Sequence, residues 1–184
     1  GYDVSKKIVK FWQDGDERKH SIAESFFKEL PQAHFKYSFE EDGRVKEYIL
    51  PDRLNLVYFP SSIHETYSLG ELYPHTLFES SQHALDFLIE YARHHPKVNL
   101  IIRLHPIIKS KDSDEQKHWK KLFEIKHIKV IHWDDTISSY ELMIKADYSV
   151  VYHSTIGVEA AYMKKKTIVL GTPWYVGLKC IYCP

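Results

Sequence analysis

The sequence predicts an α/β fold, a parallel Rossmann-like sheet with helices on both faces, preceded by a helical segment. Three observations carry that prediction. From residue 54 onward, short and nearly unbroken apolar runs alternate with longer stretches whose apolar residues keep to one helical face. Strands buried on both sides read as such runs, the pattern of a parallel sheet clothed in helices. Polar residues then collect directly after the apolar runs, where an open parallel sheet binds its ligands.

Taken in order, residues 4–30 read as helix with a break at Asp14-Gly15-Asp16. Ile22, Ala23, Phe26, Phe27 and Leu30 form its apolar stripe, and Pro31 is the expected stop. The stretch 32–51 is less regular, with Glu41-Asp42-Gly43 as a turn between two short extended pieces. The acidic pair could instead supply a catalytic carboxylate in a loop, but turn chemistry accounts for the residues. The chain therefore divides into a helical and irregular N-terminal segment, 1–52, and a Rossmann-like domain, 53–184.

The first strand is expected at 54–59. A loop, PSSIHETYSLGELYPH, leads to a helix from about 77 to 93 with Leu77, Ala84, Leu85, Leu88, Ile89 and Ala92 on one face. The second strand, 98–104, ends in His105-Pro106. A helix over 114–125 points Trp119, Leu122 and Phe123 inward, and the third strand follows at 128–133. A short helix over 138–146 buries Leu142 and Met143. The fourth strand, 148–152, runs into Ser154 and Thr155 at the start of a helix, which Ile156, Glu159, Ala160 and Met163 continue. The last strand is 167–170. Lys164-Lys165-Lys166 suits a solvated helix end at the negative pole of the dipole.

Composition narrows the function. The 184 residues make one ordinary soluble domain with a proper core. Equal counts of 25 basic and 25 acidic residues argue against a nucleic-acid binder. No apolar run is long enough to span a bilayer, and no signal peptide opens the chain. Twelve histidines and thirteen tyrosines are scattered, without metal-ligand spacing. Cys180 and Cys183 form a terminal CxxC with no second pair to complete a zinc site, and they do not open a helix as a redox pair would. Functionless thiols and a cytoplasmic chain are the expectation. Beginning at Gly1 and stopping soon after a strand, the sequence reads as a fragment of a longer protein.

The strand ends hold the candidate site. After the first strand come Ser61, Ser62, His64 and Glu65. After the second comes His105, with Arg103 two positions earlier. Trp133, Asp134 and Asp135 follow the third, His153, Ser154 and Thr155 the fourth, and Gly171, Thr172 and Pro173 the fifth. Each has a structural reading: Ser154 as an N-cap, Ser61 and Ser62 as a turn, His105 as a surface residue before proline. Glu159, one turn beyond Thr155, can face the same ligand or solvent. Hydroxyls at a helix start with a neighbouring histidine suit an anionic ligand carrying a sugar. No Gly-rich dinucleotide fingerprint and no Walker lysine loop is present, which disfavours NAD and ATP.

The motifs FPSSIHE, LIIRLHP and ADYSVVYHSTIGVEAAYMKKKTIVLG, in this order, resemble the capsule polysaccharide biosynthesis proteins. These include bacterial 3-deoxy-octulosonic acid transferases and, more distantly, sialyl- and polysialyltransferases. The resemblance implies the C-terminal, nucleotide-sugar-binding half of a two-domain GT-B glycosyltransferase with a CMP-linked donor. It implies that His105 and the Ser154-Thr155 pair contact the donor phosphate and nucleotide, assisted by Arg103, with Glu159 near the ribose or base. Ser61, Ser62 and Glu65 would flank the donor–acceptor cleft, and His105 and Glu65 would be the catalytic pair. Since a phosphate monoester is a good leaving group with a second pKa near ~6, a hydrogen bond from His105 would suffice in place of a full proton transfer. No cofactor and no metal are implied, because protein groups position the leaving phosphate.

The implied partners are the nucleotide sugar and a glycan or glycolipid acceptor, with peripheral association to the inner membrane or the export machinery and no nucleic acid. The sialyltransferases' acidic-acidic-Gly motif matches Glu41-Asp42-Gly43 in letters. It lies too near the first strand for a complete N-terminal domain to precede it, so the base role is not assigned. The final strand and the C-terminal helix that crosses back are also expected to be missing, so the chain alone should bind a donor but transfer poorly. Two alternatives stand beside this reading: a CDP-alcohol phosphotransferase of the teichoic-acid type, and a non-catalytic nucleotide-binding or interaction module.

Overall fold

Five parallel strands form a single sheet in the order β3-β2-β1-β4-β5: β1 (Leu54–Phe59), β2 (Val98–Arg103), β3 (Lys129–Ile131), β4 (Tyr148–Val151) and β5 (Thr167–Val169). The computed structural model describes residues 2–15, 17–33, 43–61, 77–176 and 181–182. Among these residues three helices precede the sheet: α1 (Tyr2–Asp14), α2 (Arg18–Ala33) and α3 (Val45–Tyr48). Among the described residues four more are interleaved with the strands: α4 (Ser81–His94), α5 (Ser113–Lys120), α6 (Ser139–Lys145) and α7 (Ile156–Tyr162). Single 3-10 turns occupy Pro106–Ser110 and Lys121–Glu124.

Alternate side chains of each strand feed two separate cores. Leu56, Tyr58, Leu100, Ile102, Val150 and Leu170 point to one face, where α4 and the α5 region cover them. Val57, Phe59, Ile101, Ile131, Val151 and Val169 point to the other, against α6 and α7. The helices therefore change face where β1 adjoins β4, the reversal point of a doubly wound sheet. On α4 the residues Ala84, Leu85, Leu88, Ile89 and Ala92 are buried, and each large aliphatic among them contributes about 1.5–3 kcal/mol by burial.

The helix starts follow from capping side chains that the apolar periodicity did not reveal. Ser80 accepts from the His83 N–H at 3.0 Å, so α4 begins at Ser81 and Leu77 lies outside it, largely exposed. Asp112 accepts from the amides of Asp114 and Glu115, starting α5. That helix ends at Lys120 and tightens into a 3-10 turn, which leaves Phe123 turned outward while Trp119 and Leu122 stay buried. Two further expectations are corrected. Helix α2 runs through Pro31 to Ala33, and part of 32–51 is the short helix α3 rather than extended chain. At the sheet edge the backbone of Tyr182 pairs with β5, its N–H donating to Thr167 O at 2.9 Å and its carbonyl accepting from Val169 N–H at 2.8 Å. This is an isolated parallel bridge outside the five named strands.

A buried polar plug closes the amino end of the sheet. The Asn55 amide accepts from Leu50 N–H at 2.8 Å and from Asn99 Nδ2 at 2.8 Å, and it donates to Leu50 O at 2.9 Å. Asn99 also donates to Tyr48 O at 2.7 Å, so α3 and the chain after it are laced to β1 and β2. These bonds satisfy backbone groups that would otherwise be buried unpaired.

Helix α7 ends in a Schellman motif, with Lys164 N–H donating to Ala161 O and Lys165 N–H to Ala160 O. Lys164 accordingly has φ 58°, in the left-handed region where a side chain is strained. Lys164→Gly is expected to raise stability by up to about 1 kcal/mol. Urea unfolding with an unchanged m-value will check it, and a loss of stability would contradict this cap geometry.

Candidate functional site

At the reversal point the chain leaving β1 and the chain leaving β4 diverge. The gap between them, bounded by the end of β2, is a cavity of about 330 Å³ lined by Pro60, Ser61, His105, Ile107, His153, Ser154 and Thr155. Three strand ends therefore converge on one space. A larger groove of about 700 Å³ lies against α4, β4 and β5, but residues such as Leu77, Phe87, Val150 and Ile168 make it apolar. It offers little to an anion.

The two imidazoles of the smaller cavity are oriented by backbone amides. His105 caps the 3-10 turn that follows it, its Nδ1 accepting from Ile107 N–H at 3.1 Å. The neutral ring therefore carries its proton on Nε2. His153 is held the other way round, its Nε2 accepting from Thr172 N–H at 3.3 Å, so its neutral ring is protonated at Nδ1. The bond at Nδ1 leaves Nε2 of His105 as the nitrogen that can donate to a ligand, whereas Nδ1 of His153 is buried. Gly171 permits the approach: a Cβ there would stand 2.6 Å from Tyr152 O and 2.9 Å from the His153 ring.

The β4–α7 turn supplies the hydroxyls. Thr155 sits at the N-cap position of α7 with helical φ and ψ, and its side chain makes no capping bond. Among the described residues neither the Ser154 nor the Thr155 hydroxyl has a hydrogen-bond partner. The capping explanation for this pair therefore does not hold. Helix α7 has only seven residues, too short for a long helix dipole at this turn.

Of the residues expected from sequence, Ser61, His105, Ser154 and Thr155 line the cavity. His153 stands beside them and was not among the residues assigned a role. Its position at the end of a strand beside the reversal point was the available signal. Ser62, His64 and Glu65 lie outside the described residues, as do Glu41, Asp42, Cys180 and Cys183.

Two expected contacts are employed elsewhere. Arg103 is buried at 2 % exposure. Its guanidinium donates to the carbonyls of Leu104, His132 and Asp135 at 2.8, 2.7 and 3.0 Å, which ties β2 to the chain after β3. It does not line the cavity. Glu159 does not line it either, and its carboxylate accepts from the Tyr140 hydroxyl at 2.8 Å. Burial, and then the charge of Glu159, pushes the Tyr140 phenol well above its ordinary range.

The end of β3 is likewise structural. Asp134 pairs with Lys109 at 2.9 Å, and the hydrogen bond from Lys109 holds its carboxyl below the usual carboxylate range. Asp135 pairs with Arg44 at 3.1 Å and accepts from Ile137 N–H at 2.9 Å. Among the described residues no group of three or more His, Cys, Asp or Glu is placed to hold a metal ion.

The family model for capsule polysaccharide biosynthesis proteins matches residues 50–178, which include every residue lining the cavity. Among solved structures the chain is similar to two of KpsC from Thermosulfurimonas dismutans. One is described as a beta Kdo 2,7 transferase, with 18% identity and TM-score 0.58, over 99% of this chain and 52% of that one. The other is described as a beta Kdo 2,4 transferase, with 15% identity and TM-score 0.61, over 92% of this chain and 50% of that one. At these identities the likeness is one of fold, and the chain spans about half the length of each. No curated protein sequence matches it.

Two substitutions test the geometry. Gly171→Ala should cost about 1–3 kcal/mol through overpacking, with altered NMR shifts of the His153 ring. Unchanged stability and ring shifts would refute the close approach. Arg103→Met should destabilise by about 1.5–3 kcal/mol, since the carbonyls lose charge-assisted bonds. An unaltered urea midpoint would contradict its structural assignment.

Proposed function

The chain belongs to the capsule polysaccharide biosynthesis protein family, and from that premise we propose that it is the donor-binding half of a GT-B glycosyltransferase. It would take a sugar from a nucleotide-activated donor, CMP-linked, and pass it to a surface polysaccharide. The observation that carries this reading is the cavity at the reversal point, where two imidazoles and two unspent hydroxyls face one small space.

The chemistry follows from what such a site can stabilise. As the bond between the anomeric carbon and the phosphate oxygen breaks, the electron pair stays on the oxygen and negative charge grows on the phosphate. Donors already aimed at that position lower the barrier, because they need not reorganise. His105 in its neutral form donates from Nε2, and the hydroxyls of Ser154 and Thr155 supply further bonds. Among the described residues lining the cavity there is no Lys or Arg. Neutral donors match the single charge of the phosphodiester in a CMP-sugar better than the two charges of a pyrophosphate, which supports CMP as the leaving group. The acceptor, a glycan or glycolipid, would attack from the side away from this cluster. Contact with a glycolipid would bring the chain to the membrane surface. No helix among the described residues is long and apolar enough to cross it.

Calorimetric titration of the full chain with CMP, CDP and UDP tests the reading. CMP should bind best, and His105→Ala and Ser154→Ala should each weaken it about 5- to 100-fold, the range for one neutral to one charge-assisted hydrogen bond. Preference for CDP would move the assignment to a phosphotransferase or another donor. No binding of any of the three would overturn it.

A further inference from the structure

The segment after β5 touches the cavity's turn twice, and both contacts require a glycine. Thr172 N–H holds the His153 ring, and Gly171 leaves room for that contact. Three residues further on, the Tyr175 hydroxyl donates to the Ser154 carbonyl at 2.5 Å. Tyr175 is fully buried in the core beneath α6 and α7. A Cβ on Gly157 would collide with the Tyr175 hydroxyl oxygen and crowd its Cζ and Val151 Cγ2, both at 3.0 Å. Residue 157 thus makes way for the phenol, and the phenol fixes the carbonyl of the residue whose hydroxyl lines the cavity.

We propose that Tyr175 is a positioning residue for the phosphate-facing turn, setting the Ser154 and Thr155 hydroxyls in place through its bond to the Ser154 carbonyl. The inference rests on the donor-site reading for its ligand, a phosphate ester of a nucleotide, and on geometry alone for its mechanism. An apolar residue of the same shape would fill the core equally well. The side chain is buried, and its hydroxyl donates to the carbonyl adjoining the site. Without it, the turn loses a directional bond to the rigid core, while Ser154 and Thr155 keep their own side chains.

The test compares the full wild-type chain with Tyr175→Phe, Ser154→Ala and the double variant, using CMP as the probe. Tyr175→Phe should weaken CMP binding about fivefold, roughly the size of one neutral hydrogen bond. In the Ser154→Ala background the same change should have less than about half that effect on a logarithmic scale, because the group it positions is gone. Backbone amide exchange at 154–157 should quicken in Tyr175→Phe well below its melting temperature. A merely structural tyrosine would lower the melting temperature and leave CMP affinity and local exchange unchanged; that result would overturn the proposal. Fully additive binding effects in the double variant would also overturn it.

Gly157→Ala supplies a second handle. It should lose stability in the wild type and regain part of it in the Tyr175→Phe background, where the colliding oxygen is absent. Lack of any rescue would contradict the contact. If the wild type binds no nucleotide, the donor-site reading fails and takes the ligand with it. The exchange and rescue measurements would still decide whether Tyr175 holds the turn.

Discussion

Most polar groups that face the cavity owe their position to two parallel strands, β1 and β4, that lie side by side while the helices following them pack on opposite faces. Parallel strands need crossover connections, and right-handed crossovers wound outward in both directions leave a gap where the winding reverses. Backbone at that gap is free of the ladder, so side chains there can face a ligand. Pro60, Ser61, His153, Ser154 and Thr155 are the residues at this point, and His105 reaches it from the neighbouring β2.

Rigid surroundings make the gap useful. Arg103 ties β2 to the chain after β3, the paired asparagines lock the opposite end of the sheet, and Tyr175 braces the β4–α7 turn. Each is a buried polar group that bonds to backbone, and the asparagines also bond to each other. Such bonds specify one arrangement rather than merely adding stability, because leaving a partner unsatisfied in the interior costs more than the bond itself contributes. These bonds frame the small polar cavity onto which Ser61, His105, His153, Ser154 and Thr155 open.

Much of the fold was legible from period and composition. Near-unbroken runs such as 54–59 and 98–104 could only be strands covered on both faces, and the five of them appear with helices between. Ser61, His105, Ser154 and Thr155 could be marked because strand ends are identifiable along a chain. Arg103 and Glu159 could not be placed this way. Arg103 lies within β2, and which neighbours its long side chain reaches depends on β3 lying alongside at its particular register. Glu159 has helical spacing from Thr155, yet its carboxylate goes to Tyr140, which comes from α6. Asp134 and Asp135 looked like ligand groups, and distant Lys109 and Arg44 engage them instead.

The sequence by itself determined the class of fold, the number of its strands and their succession along the chain, and the stretches from which a site could be drawn. Those features follow from local periodicity and from the polarity change at strand ends, which neighbouring residues encode. Only the tertiary structure decided which strand ends meet, which histidine joins His105, and which charged groups are consumed in holding the frame. It also revealed that Gly157 and Gly171 are spaces kept for Tyr175 and His153. These are relations between residues far apart in the chain, and they exist only once strand order and register bring them within a few ångströms.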